Sequence, residues 1–580
     1  MKRLWATLLA TGLLATHTVA ATAAAWDFPN ASTVPNGTTL VAVNEPNVFD
    51  AWSQWSSSEG GPEDYTSRLC PNGVDSVNCN PDKASVIATS VISACVDTQD
   101  QYCVDSIRVQ SSNSGWVSAT FSRGVEGQSY SASAQSAISA GRIGLWDVRT
   151  SNGTALQLAS VVKVKQVYDN SKKRFVSMGL SANVTPYSVR AGGEAPVHTE
   201  GDYNGRTRVF TRHDPVCIWA EFGSCGLAED FPEDLKVELK LRVPTEIKGW
   251  FRGRLQDPTI SIDKVNESTN LISVQAKPVT VPRISVLANP SETPESVKAI
   301  LSNTGGKNPT APLFSGNSIK DFFSNQGERL FEVINGLRAT AKDTTQGLST
   351  LWNFTTIEFS SKESCFAGSS EVLGIVTTNA SAYVGDPPAF KDGMLEYRVA
   401  GFHFAPDGKT LNLGTYDLIM NSKVARCLYG FSNAPVSAKI QVVSENGESV
   451  VASTTVSEQD GWLKLAAYGF TFSEKKIKVE LSQAKPQLVK LTLGNFASKV
   501  ASLNTKQKIA LDSVAAKVDF QTQVECKGTY RTPNEKSLAL SRANAVCARL
   551  LSKKPGLSAV VKVSKVSTSK QSNLVLVSIN

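Results

Sequence analysis

Between Leu235 and Val243 the chain reads Leu-Lys-Val-Glu-Leu-Lys-Leu-Arg-Val, apolar and charged residues alternating without a break. Successive side chains of an extended strand point to opposite faces. The pattern therefore puts Leu235, Val237, Leu239, Leu241 and Val243 on one face and four charges on the other. A helix would scatter the same residues around its axis. A half-buried strand, paired antiparallel, is the expectation.

Runs of similar character recur at 85–94, 161–167, 440–443 and 476–481, separated by Gly, Asn and Asp. They predict a mainly β protein. At 580 residues the chain is too long for a single core, so several domains are expected. Asn289-Pro-Ser-Glu-Thr-Pro and Thr304-Gly-Gly-Lys-Asn-Pro-Thr-Ala-Pro lack periodicity and read as linker. Beyond them Ile319, Phe322, Phe323, Leu330, Val333, Ile334 and Leu337 fall at helical spacing, interrupted at Gly327. The expected organisation is a leader at 1–25, a β-rich domain at 26–287, a linker with an amphipathic helix at 288–350, a β-sandwich-like domain at 351–481 and a basic α+β domain at 482–580.

The leader is read from Lys2 and Arg3, the apolar run from Leu4 to Ala15, and the small residues through Ala25. That is the layout of a secretory signal with an A-x-A exit, which predicts export and cleavage near 24–26. No later run is long and apolar enough to span a bilayer, so no transmembrane segment is expected after the leader. Secretion or attachment to the cell envelope is the expected location.

Ten cysteines fit an oxidising compartment. Their clustering suggests Cys217 with Cys225, Cys365 with Cys427, Cys526 with Cys547, and Cys70, Cys79, Cys95 and Cys103 among themselves. No C-x-x-C occurs, and histidines after the leader are confined to His198, His213 and His403, so no metal site is expected.

Charge is unevenly placed. The last 99 residues, 482–580, hold sixteen Lys/Arg against four Asp/Glu, a balance of +12 in a chain whose total is +7. With Lys2 and Arg3 assigned to the leader, residues 26–481 carry −7. A basic end on a mildly acidic body suits contact with an anionic surface. The tail also has an order of elements: a strand at 488–493, a helix at 505–517, a strand at 523–527, a helix at 535–551, then strands at 559–563 and 574–579 expected to pair. This β-α-β-α-β-β series predicts a two-layer α+β sandwich.

Four stretches of the tail are similar to a known family: Leu491-Thr-Leu-Gly-Asn-Phe, Leu503-Asn-Thr-Lys-Gln-Lys-Ile-Ala-Leu-Asp-Ser-Val-Ala, Val524-Glu-Cys-Lys-Gly-Thr-Tyr and Leu538-Ala-Leu-Ser-Arg-Ala-Asn-Ala-Val-Cys-Ala-Arg-Leu. They resemble the OmpA-like C-terminal, peptidoglycan-associated domain, here in a secreted multidomain chain of actinobacterial style. The resemblance spans about 485–580 and implies a pocket for peptidoglycan stem peptides. By that resemblance Arg542 would grip a diaminopimelate carboxylate, for which a guanidinium is suited by its paired hydrogen bonds. Gly528 matches the glycine of the family's G-x-T-D turn. Three residues on, Arg531 stands where the family has an aspartate, and its charge would repel the ligand's ammonium group.

Catalysis leaves little trace: no G-x-S-x-G, H-E-x-x-H or P-loop is present. Nothing calls for a cofactor. Glu229, Asp230, Glu233 and Asp234, with His213, Asp214 and Glu221 near in sequence, suggest either glycan-cleaving carboxylates or a solvated acidic loop. Trp219, Trp250 and Phe251 with Arg252 and Arg254 suggest a sugar-stacking surface or simply buried aromatics. Nucleic acid is not an expected partner of an exported, disulfide-bearing chain whose tail lacks stacking aromatics. The expected function is a secreted, cell-envelope-associated structural or binding protein whose basic end contacts peptidoglycan or another anionic wall polymer. The alternative is a secreted glycan-directed hydrolase or an adhesin carried to the surface by that end.

Overall fold

A computed structural model gives the architecture. It describes residues 31–579 except 46–52, 60–65, 72, 98–100, 112–113, 127–137, 139, 196, 204–205, 213–215, 305–311, 358–364, 366–370, 432–435, 445–448, 451–452, 484–488, 517–522 and 555–556. The expected leader, His213, Asp214 and much of the second Pro/Gly-rich stretch lie outside the described residues.

The alternating segment forms the strand Lys236–Pro244. It pairs antiparallel with Cys103–Gln110 on one side and Thr269–Lys277 on the other. Leu235, Val237, Leu239, Leu241 and Val243 are all buried on its apolar face. On the other face Glu238 is also buried, because Arg108 holds it by two nitrogens and Gln275 donates at 2.8 Å. Together with Gln256–Lys264 and Val117–Ser118 these strands make a five-stranded sheet.

A fifteen-stranded sheet is the spine of the molecule. Its middle strands are Gly249–Arg254, Asn353–Thr356, Val372–Thr378 and Leu413–Asn421. In Val372–Thr378 every residue is buried, the mark of a strand covered on both faces. Val372 and Ile375 enter one core, where the five-stranded sheet supplies Ile107, Leu239 and Leu241. Leu373 and Val376 enter another, where a six-stranded sheet supplies Tyr397, Ile477 and Val479. The local arrangement is three layers, sheet on sheet on sheet.

The spine changes the expected organisation. The 26–287 and 351–481 segments were expected as separate β units, yet Gly249–Arg254 pairs parallel with Val372–Thr378 and antiparallel with Asn353–Thr356. One sheet runs through both.

The segment expected as a linker is packed as well. It contains the helix Glu295–Ser302, the strand Ser318–Phe323, the helix Glu328–Leu337 and the strand Gly347–Leu351. Ile319 and Phe322, expected on a helix, lie in a strand that pairs parallel with Thr39–Asn44. Gly327, at φ +60°, ends the extended run, and only then do Leu330, Val333, Ile334 and Leu337 line the buried side of a helix. Short apolar runs do not distinguish strand from helix by spacing, and pairing with Thr39–Asn44 decided this one.

The tail forms its own four-stranded sheet in the order Val489–Leu493, Val575–Ile579, Gln523–Tyr530, Ser558–Lys565. The helices Thr505–Ala515 and Lys536–Lys553 share a core with it through Leu511, Ala543, Val546 and Leu550. The last two strands do not pair with each other as expected. Ser558–Lys565, returning from a helix, pairs parallel with Gln523–Tyr530, and the final strand fills the gap between Val489–Leu493 and Gln523–Tyr530.

All ten cysteines are bridged: Cys70–Cys79, Cys95–Cys103, Cys217–Cys225, Cys365–Cys427 and Cys526–Cys547. The three pairs proposed from spacing are present, and the first four cysteines pair with their nearest neighbours. Among the described residues no helix is long and apolar enough to cross a membrane.

Candidate functional site at the basic end

Arg542 lies on the Lys536–Lys553 helix with its side chain turned inward, 3% exposed. Nε donates to the Val500 carbonyl at 2.8 Å, Nη2 to the Ala497 carbonyl at 2.8 Å and Nη1 to Asn573 Oδ1 at 3.0 Å. The Phe496 ring stacks 4.9 Å from the guanidinium carbon. One side chain thus ties the loop after the first tail strand, and the turn before the last, to the second helix. Burial lowers its pKa, since no carboxylate is bonded to offset the loss of water.

The backbone around it is unusual. Asn495 (φ +59°), Lys499 (φ +57°) and Asn573 (φ +60°) all adopt the left-handed region. Non-glycine residues persist there only when their surroundings over-determine them, and such strain collects at binding and switch sites. Here the over-determining group is the guanidinium, which grips the peptides on either side of Lys499.

Gly528 sits in the middle of Gln523–Tyr530, buried against the same helix. A Cβ there would run into the Ala539 carbonyl, so the glycine permits the close strand-to-helix approach. Two residues earlier the buried Cys526 bridges to Cys547, with Cα atoms 5.9 Å apart. Strand and helix are therefore fixed together where the chain enters the site.

Arg531 follows the end of that strand and is exposed. Its backbone N–H donates to Glu535 Oε2 at 2.8 Å, and the Thr532 N–H donates to the same oxygen at 3.0 Å. These bonds hold the Glu535 carboxyl below its ordinary range. Among the described residues its guanidinium is in no ion pair.

Exposed cations gather at this end of the sheet. Lys565 is the register partner of Tyr530, immediately before Arg531. Lys570 lies in the short 3-10 turn Ser569–Gln571, whose Gln571 carbonyl accepts from Thr529 Oγ1. Lys499 is on the loop that Arg542 holds. Among the described residues none of Lys499, Arg531, Lys565 and Lys570 is in an ion pair, whereas Asp512 and Glu525, elsewhere on the tail, are each neutralised by neighbouring cations. Four exposed cations thus lie on segments tied together through Arg542, Thr529 and the Tyr530–Lys565 register pair.

No protein-family model and no curated protein matches this chain.

The other sequence candidates resolve differently. Trp219, Trp250 and Phe251 are buried in the cores, and Arg254 is fully enclosed, so no aromatic sugar-stacking surface exists there. Glu229 accepts from Ser188 Oγ, and Asp230 accepts from the Thr350 N–H and hydroxyl, while Glu233 and Asp234 are exposed in the turn before the alternating strand. Glu221 pairs with Arg123. These carboxylates brace and solvate a turn. Among the described residues no group of His, Cys, Asp and Glu is arranged to hold a metal.

Sequence reading missed Asp417, Asp257, Lys464 and Tyr468, which meet between the five-stranded sheet and the spine. Asp417 is buried, and loss of water pushes its carboxyl up to about 7 although Tyr468 and the nearby Lys464 oppose the shift. They come from strands far apart in the chain, so no local spacing marks them.

Proposed function

We propose that this is an exported, cell-envelope-associated binding protein whose basic C-terminal unit, OmpA-like in style, contacts an anionic cell-wall polymer such as peptidoglycan. The observation that carries the reading is the set of exposed cations Lys499, Arg531, Lys565 and Lys570, none in an ion pair among the described residues, within a segment whose balance is +12. Arg542 enters this reading in a different role from the one its resemblance implies. Its three bonding nitrogens already have carbonyl and amide oxygen partners, so it shapes the loop that displays Lys499 rather than presenting an open fork to a ligand. With Arg531 in place of an acid, this set favours phosphate or carboxylate groups along a polymer over a zwitterionic stem peptide.

The test is co-sedimentation of the full mature chain with insoluble cell wall across a salt series. Binding through exposed charge is expected at about 0.01 M ionic strength and lost near 1 M, where the Debye length falls to about 3 Å. Replacing Lys499, Arg531, Lys565 and Lys570 together by Glu should abolish sedimentation even at low salt. Failure of the parent chain to sediment at low salt, or equal sedimentation of the four-site variant, would sink the proposal.

A further inference from the structure

The strand Gln256–Lys264 departs from regular pairing between Gln256 and Thr259. Within this bulge Asp257 adopts φ +53°, a left-handed conformation that a non-glycine residue holds only under constraint. The bulge turns the residue off its own sheet and onto the spine. There its carboxylate Oδ1 accepts from Lys464 Nζ, and its backbone N–H donates to Asp417 Oδ2 at 3.3 Å. Lys464 is on Trp462–Thr471 and Asp417 on Leu413–Asn421, neighbouring strands of the spine.

Three features separate this contact from a surface ion pair. First, the amine is mostly enclosed, 16% exposed, and Nζ also donates to the Pro258 carbonyl at 3.3 Å. Second, the neighbouring carboxyl of Asp417 is 1% exposed and feels both the Lys464 ammonium and the Asp257 carboxylate. A carboxyl in that position can carry a proton near neutral pH. Third, the Tyr468 hydroxyl donates to Asp417 Oδ1 and fixes the carboxyl in place. Amine, carboxyl and proton carrier are thus held together by two sheets, which replaces an encounter in solution by a fixed contact.

We propose that Lys464 and Asp257 condense to an intramolecular amide cross-link, with Asp417 as the proton relay. The Lys464 Nζ–Asp257 Cγ bond forms and one Cγ–O bond of Asp257 breaks. The ammonium begins with three protons. One stays on the amide nitrogen, and two pass through Asp417 to the departing oxygen, which leaves as water through the half-exposed side of Asp257. Asp417 ends as it began, and no oxidant, reductant or activating group is consumed. The product would staple the five-stranded sheet to the spine across 207 residues of sequence, where the longest disulfide span is 62.

Mass spectrometry of the mature protein, reduced and denatured, decides the matter. The expected mass is lower than that of the open chain by one water. Trypsin should yield the 255–264 peptide joined to 440–475, uncleaved at Lys464. Lys464→Arg and Asp257→Ala should restore the full mass, and Asp417→Asn, checked for folding by its thermal transition, should leave most molecules open. A full-mass parent protein with 255–264 released as a free peptide would overturn the proposal, as would a water loss mapped to any other pair. The parent measurement alone suffices if a variant fails to fold.

Discussion

Asp417 shows how a single residue sets a pH dependence for the whole fold. Its carboxyl titrates near 7 when folded, against about 4 in an unfolded chain, because burial disfavours the charged form. The folded state therefore holds the proton more tightly than the unfolded one. Its contribution to stability is fully present below about pH 4, falls as pH rises from about 4 to 7, and is constant above. Asp417→Asn should remove that slope from urea-denaturation midpoints measured between pH 4 and 8. An unchanged slope would refute the assignment. A uniform drop in stability from loss of a cross-link would be independent of pH and so distinguishable from it. Arg542 makes the complementary point. The sequence marks the residue, but its partners, two loop carbonyls and Asn573, are set by where three separate segments come to rest.

Short disulfide loops have a shared habit at the scale of elements. Cys70–Cys79, Cys95–Cys103 and Cys217–Cys225 close spans of 9, 8 and 8 residues. Each encloses one apolar side chain at least 90% exposed: Val77, Val96 and Phe222. Phe222 occupies the tip of the hairpin Cys217–Glu221 and Ser224–Ala228 at φ +48°, the first position of a two-residue turn that favours Asn or Gly. Neither burial nor backbone preference explains phenylalanine there. Phe222→Asn should raise stability by about 1 kcal/mol through relief of backbone strain, read as a higher denaturation midpoint. A lower midpoint would mean that the ring makes a contact its exposure does not reveal. Cysteine spacing foretold the pairing of this loop, whereas the exposure of Phe222 depends on a turn that spacing does not describe. The amphipathic helix illustrates the opposite limit, since Ile319 and Phe322 fit either period until a parallel strand claims them.

For the whole molecule the decisive link is between the first described strand and the spine. Arg254 is fully buried in Gly249–Arg254, and Glu45, next to Thr39–Asn44, pairs with it through bonds of 2.6 and 3.0 Å. Its Nη1 donates to the Thr378 and Ala380 carbonyls. Removing one partner of a buried pair leaves an uncompensated charge, so Glu45→Gln should destabilise by about 3 kcal/mol. Limited proteolysis should then release the N-terminal strand before the spine is cut. Equal resistance in parent and variant would show that the pair does not anchor that strand.

Alternation determined the alternating strand and its buried face, because a period of two needs no partner to be read. Cysteine clustering indicated three bridges, spanning 8, 62 and 21 residues, because each of those six cysteines has a single neighbour left to pair with, whereas the four crowded between 70 and 103 were sorted only by the fold. Composition determined the basic end, because net charge is a sum. Tertiary structure alone decided that 26–287 and 351–481 share a sheet, that the expected linker is packed, that the last two strands of the tail are not neighbours, and that Asp257, Asp417 and Lys464 meet. Each of these depends on which distant strands pair, and hydrogen bonds between backbones carry no mark of their partner in the sequence.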